Sequence, residues 1–193
     1  MANSDAAMGL KPVRYLSGAV YTGAVNTYFV PASDGTAIYT GGLVKEAGSA
    51  DADGTPTVTG NVATGDAVVG VVVGVKPVTA DSLTYREASA DRYVFVADDP
   101  TLLFEVQEDS VGAALAATDV GGVADLASFT AGSTTTGMSS IEIDSSTVTA
   151  SGDGTEDVKI VRLAQRQDNE IGTNAKWLVR LNNHAFVDGN TGA

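Results

Sequence analysis

β-Branched residues dominate this chain, and they constrain its fold class more than any other feature. Its 193 residues include 25 Val, 21 Thr and 5 Ile but 11 Leu. β-Branched side chains are stiff at χ1 and fit the pleated surface of a sheet, whereas helical bundles depend on residues such as Leu. The composition therefore predicts an all-β protein and excludes a helical bundle.

Short apolar runs separated by turn residues predict an antiparallel β-sandwich or barrel, jelly-roll-like in type. The turn clusters fall at 33–35, 41–42, 51–54, 64–66 and 151–154. Between them, Val68–Val75 is apolar at both odd and even positions, which indicates a central strand covered on both faces. Its glycines indicate places where another backbone or a bulky ring comes close.

Two later segments alternate with period two and predict strands with one face in the core. In 102–107, three apolar side chains alternate with Glu105 and Gln107, so we expect the second face to be in solvent. The single tryptophan, Trp177, falls on the apolar parity of a strand near the C-terminus. Ser110–Ala117 favours one or two helical turns because Ala and Leu are dense there.

The first twenty residues predict an extended N-terminal arm. Gly9, Pro12 and Gly18 interrupt any regular element in 1–20. We see no linker or internal repeat after this arm, so residues 21–193 are expected to form a single β-domain.

The charge distribution excludes one class of partner and suggests another. A formal net charge of -13 removes the electrostatic attraction on which nucleic-acid binding depends. Residues 93–158 contain no Lys or Arg, whereas 159–180 has an excess of basic residues. Patches of opposite sign favour contact with other copies of the chain or with an acidic surface. Alternatively, the arginines pair with carboxylates on adjacent strands.

The residues from which reactive centres are built are few. The chain has no Cys and a single histidine, His184, which excludes thiol chemistry, zinc sites with Cys ligands and any pair of His ligands within one chain. Asp51–Gly54 resembles the start of a calcium loop, but Val62 stands where a bidentate Glu is required. No phosphate-binding Gly-rich loop occurs. We therefore expect no enzyme, no cofactor and no metal.

The sequence also predicts no membrane segment. The N-terminus lacks the basic and apolar regions of a secretory signal, and the longest apolar run, Ala67–Val75, is far shorter than the roughly 18 residues of a membrane span. We expect synthesis in a cytoplasm without export by such a signal.

Three stretches together resemble a known family: Met1–Asn3 with Gly9–Arg14, Asp91–Pro100 followed by Phe104–Asp109, and Asp168–Val179 with Asn182–His184. Through them the chain resembles the capsid cement proteins, also called head decoration proteins, of tailed bacteriophages. The likeness spans nearly the whole chain and rests on general sequence character rather than on a chemical motif.

This resemblance implies a small β-rich virion protein that binds the outside of an icosahedral phage head, assembled in the bacterial cytoplasm, and bridges subunits of the major capsid protein. It also implies self-association, as a homotrimer or a dimer. From composition, we expect partner contacts from the arm and from the basic segment: Lys11, Pro12, Val13, Arg14, Arg162, Arg166, Lys176 and Arg180.

Two other functions stay open. An all-β adhesion module could bind carbohydrate or a host surface, for which exposed aromatic rings would be the sign. An enzyme could use Asp98, Asp99, Asp168 or Glu170 as acid and base.

Overall fold

The computed structural model describes residues 3–187, so residues 1–2 of the expected arm and 188–193 of the expected domain lie outside it. The fold is all-β, as predicted, with two short 3-10 helices at Ala117–Asp119 and Ser145–Thr147. The strands are β1 Lys11–Tyr15, β2 Asn26–Val30, β3 Leu43–Ala50, β4 Pro56–Thr59, β5 Gly70–Val75, β6 Arg92–Ala97, β7 Leu102–Gln107, β8 Val123–Ala124, β9 Leu126–Ala127, β10 Glu142–Ile143, β11 Val158–Leu163 and β12 Lys176–Leu181.

The strands form an open sheet, a ribbon and a barrel. The open sheet is antiparallel throughout and has the order β1-β7-β12-β11-β8. Strands β2-β4-β3-β5-β6 close into a five-stranded barrel, and β9 pairs with β10. Barrel closure leaves these five strands without a free edge.

Two hydrophobic clusters share strands of the barrel wall. On β5, Val71 belongs to the cluster under the open sheet, whereas Val72 belongs to the cluster inside the barrel. Leu43 and Val44 of β3 divide in the same way. The predicted strand with two covered faces is therefore confirmed. Gly70 is buried against the Ala97 carbonyl, which a Cβ atom would overlap.

Strand β7 differs from the expectation that one of its faces is in solvent, because all six of its residues are buried. Glu105 is 7% exposed and Gln107 is fully buried. Two contacts from distant segments cover this face. Arg166 pairs with Glu105, and the N-terminal segment hydrogen-bonds to Gln107 through the Ala6 amide. Local alternation cannot reveal cover of this kind.

Trp177 is fully buried in the cluster under the open sheet, as its place on the apolar side of an alternating strand predicted. The expected helix at Ser110–Ala117 is wrong, since only the 3-10 turn at Ala117–Asp119 forms. Ser110 and Gly112 have positive φ angles of 55° and 91°, which no helical turn accommodates.

The N-terminal residues are joined to the domain rather than detached from it. Strand β1 is the edge strand of the open sheet, paired with β7. Ahead of it, the Asn3 side chain donates to the carbonyls of Glu170 and Thr173, 2.9 Å away in each case. An edge tolerates Pro12, which has no amide to donate, so a segment that looks irregular in sequence still forms a strand.

Within residues 3–187, no helix has the length and apolar character needed to cross a membrane.

Candidate functional site

The open sheet brings basic residues from both ends of the chain onto one face. Across the sheet, Lys11 lies opposite Glu105, Glu105 opposite Leu178, and Leu178 opposite Arg162. Residues directly opposite in antiparallel strands point to the same side. These four side chains therefore form one row across β1, β7, β12 and β11.

A second row lies beside the first. Arg14 is opposite Leu103, and Lys159 is opposite Arg180. Continuing the β7–β12 register by one residue places Leu103 opposite Arg180. The second row therefore contains three basic side chains and one leucine.

We define the cationic face as the basic side chains of these rows together with Arg166, which reaches Glu105 from the segment after β11. Its members are Lys11, Arg14, Lys159, Arg162, Arg166 and Arg180. They are six of the eleven Lys and Arg residues of a chain whose net charge is -13. Among the described residues, Arg166 is the only member with a carboxylate within 4.0 Å. The charge of the other five members is thus uncompensated at short range.

Arg166 is held by two carboxylates. Its Nε and Nη2 donate to the two oxygens of Asp168 at 2.9 and 2.8 Å, and its Nη1 donates to Glu105 Oε1 at 2.7 Å. These bonds raise the pKa of Arg166, Asp168 having the larger effect, and lower that of Asp168. The sequence left open whether the arginines contact a partner or pair with carboxylates of the same chain. Arg166 does the second, so its charge is already neutralised.

Three of the expected contact residues do not belong to the cationic face. Lys176 is on the same side of β12 as Leu178, but it is 4% exposed, so its side chain is not available to a partner. Pro12 is opposite Phe104, on the core side, and lines a cavity of about 430 Å³. Val13 lies at a break in the β1–β7 register, and its carbonyl accepts from the Tyr21 amide.

No local sequence pattern assigns Lys159 to the same surface as Lys11. Their strands are separated by β7 and β12, and the β11–β12 register shifts between Ile160 and Arg162. That bulge keeps Lys159 and Arg162 on one side although their spacing of three predicts opposite sides.

The single histidine and the candidate acids make structural contacts. His184 is 1% exposed, its Nδ1 accepts from the Phe186 amide, and burial lowers its pKa. Asp98 accepts hydrogen bonds from Asn26 and Tyr28, while Asp99 accepts from the Thr101 amide and hydroxyl in a turn.

The other two candidate acids lie beside the sheet. Asp168 pairs with Arg166, and the Glu170 backbone amide donates to Asn3 Oδ1.

The segment that resembles the start of a calcium loop is a hairpin turn held by its own hydrogen bonds. Asp51 Oδ1 accepts from the amides of Asp53 and Thr55, and Oδ2 accepts from the Tyr93 hydroxyl at 2.7 Å. These bonds, that of Tyr93 first, lower the pKa of Asp51. Over residues 3–187, no group of three or more His, Asp or Glu side chains is arranged to hold a metal ion.

No family model, no curated protein and no solved structure matches this chain.

Proposed function

We propose that this protein is a capsid cement protein, which binds the outer surface of an icosahedral phage head and bridges major capsid subunits. The cationic face is the observation that carries the proposal. It gives an acidic molecule one surface with an excess of positive charge, built on a rigid sheet. Such a surface favours docking in one orientation on an acidic partner and disfavours basic ones.

A cement protein needs this kind of adhesive surface, and its binding stabilises the shell by mass action. Each copy that binds the assembled shell but not its separated subunits shifts the equilibrium toward the shell. Many copies then act together without any one of them binding tightly. The acidic remainder of the molecule faces solvent in this arrangement, where it keeps decorated particles apart.

The decisive experiment is co-sedimentation of the purified protein with expanded, undecorated capsids and with unexpanded procapsids. We expect saturable, stoichiometric binding to expanded capsids and little to procapsids. Binding should weaken as salt rises, because the Debye length falls from about 10 Å at 0.1 M to about 3 Å at 1 M. Absence of binding to expanded capsids would overturn the proposal. Light scattering on the free protein distinguishes a trimer from a dimer or monomer.

A matched pair of variants assigns the binding surface. Lys11→Gln with Arg14→Gln removes two charges from the edge strand while keeping the strand itself. We expect at least about tenfold weaker capsid binding from losing two partner contacts. The control, Thr134→Asp with Thr135→Asp, makes the same change in net charge at an exposed turn between β9 and β10. Equal effects of the two pairs would show that net charge, not this face, controls binding.

A further inference from the structure

We propose that the outer wall of the barrel carries a binding site for a neutral saccharide, in a cavity of about 260 Å³ beside Phe29 and Tyr93. This inference is independent of the cement function. It rests on the β2–β6 face of the barrel, which is built from different strands than the cationic face.

Two aromatic rings form an outward-facing platform at this position. Tyr28 and Val30 of β2 and Val94 and Val96 of β6 fill the barrel interior, so the residues alternating with them point outward. Phe29 and Tyr93 are directly opposite in the β2–β6 register, with ring centroids 5.2 Å apart and planes inclined at 51°. Both rings are partly exposed. Alternation within one strand does not bring these two rings together, because β2 and β6 are distant in the chain.

Groups of both charge signs surround the platform. Lys76 Nζ lies 5.0 Å from the centre of the Tyr93 ring, and Arg92 also lines the cavity. Asp91 lines it too, while Asp51 binds the Tyr93 hydroxyl. Within the described residues, the Arg92 side chain makes a single hydrogen bond, from Nη1 to the Ser82 hydroxyl at 3.3 Å, and its Nε is buried without a partner. The remaining donors of Nη1 and Nη2 are therefore the ones that a ligand can use.

This combination fits a neutral saccharide better than a charged ligand. A pyranose ring presents C–H groups that pack on an aromatic face, and hydroxyls that both donate and accept hydrogen bonds. Lysine and arginine supply donors, and Asp91, which lines the cavity, supplies an acceptor. A strongly anionic ligand would meet the carboxylate of Asp91, and behind the Tyr93 hydroxyl that of Asp51, as well as the two cations. Ligand sites commonly combine an apolar floor with a few polar groups in this way.

Protein-observed NMR titration tests the proposal, with lactose, maltotriose and triacetylchitotriose as neutral probes and sialyllactose as the anionic one. We expect at least one neutral probe, at up to about 10 mM, to shift backbone amides around Phe29, Tyr93 and Lys76. No shift with any neutral probe, or shifts elsewhere on the protein alone, would overturn the proposal. Binding of sialyllactose alone would mean that the site takes an acidic ligand, which also contradicts it.

Three variants separate binding from folding. Tyr93→Leu removes a platform ring and should weaken saccharide binding about threefold to tenfold. Tyr93→Phe keeps the ring but loses the bond to Asp51, so we expect most of the affinity to remain. Phe95→Leu removes a partly exposed ring on the same strand that does not line the cavity, and should leave binding unchanged. Equal losses in Tyr93→Leu and Phe95→Leu would show a general effect on the barrel and refute the site.

Discussion

Lys159 and Arg180 stand directly opposite each other on neighbouring antiparallel strands, and neither has a carboxylate within 4.0 Å among the described residues. Like charges in this position destabilise a sheet. The cationic face therefore contains a small unfavourable interaction between these two charges.

Replacing Lys159 should raise the stability of the protein and, under the proposed function, weaken its binding to capsids. Lys159→Glu converts a like-charge pair into an opposite-charge pair, and we expect about 0.2–1 kcal/mol more stability in urea unfolding at low salt. Lys159→Gln should fall between this variant and the parent chain. Capsid affinity, measured by co-sedimentation, should follow the reverse order. Unchanged capsid affinity in Lys159→Glu would remove this residue from the binding surface.

Losing Arg166 should destabilise the protein through Glu105. The Glu105 side chain is 10% exposed, so Arg166→Gln leaves a largely buried carboxylate without its ion pair. We expect a loss of about 1–2 kcal/mol in urea unfolding, discounted because the Arg166 side chain is 39% exposed. Asp168→Asn removes the exposed partner instead and should change stability much less, because solvent screens that ion pair. A larger loss in Asp168→Asn than in Arg166→Gln would contradict this ranking.

Gly9 cannot be replaced without moving the N-terminal segment. It has a φ of +68°, and a Cβ atom there would lie 2.6 Å from the Gly41 carbonyl oxygen. Gly9→Ala combines a backbone cost of about 1–2 kcal/mol with this overlap. Gly23→Ala is the matched control, because Gly23 has a φ of +92° but nothing within 4 Å of the new atom. We expect a clearly larger loss of stability for Gly9→Ala. Equal losses would show that the backbone around Gly41 moves to accept the new Cβ atom at little cost.

Glu108 should make stability fall as pH rises. Its side chain is fully buried, and burial raises its pKa above the ordinary 4.5, although the hydrogen bond from the Leu115 amide opposes the shift. The folded state then holds a proton that the unfolded state has released, so stability is lost as pH rises from about 4.5 through the raised pKa. Glu108→Gln should flatten this slope in urea unfolding. Glu87→Gln, at an exposed position, should not.

Sequence patterns predicted those parts of the fold that depend on local alternation. The burial of Trp177 and the two covered faces of β5 are of this kind, because residues two positions apart in a strand face the same side. The closed barrel also belongs to the predicted all-β class.

The cationic face required information that alternation does not contain. Lys11 and Glu105 are opposite each other across 94 residues of chain, and the bulge in β11 reverses the direction expected for Arg162. The burial of Lys176 depends on long-range packing that no run of neighbouring residues records. Basic composition in 159–180 thus indicated a contact region, whereas pairing register determined which side chains reach the surface.

Because Val71 and Val72 are consecutive residues that serve two different cores, the covalent backbone itself joins the barrel to the layer under the open sheet. A force applied to the cationic face would therefore be transmitted to the barrel directly through β5. Under tension from an optical trap, we expect the chain to rupture in one step rather than two, since neither half keeps its packing once β5 is withdrawn.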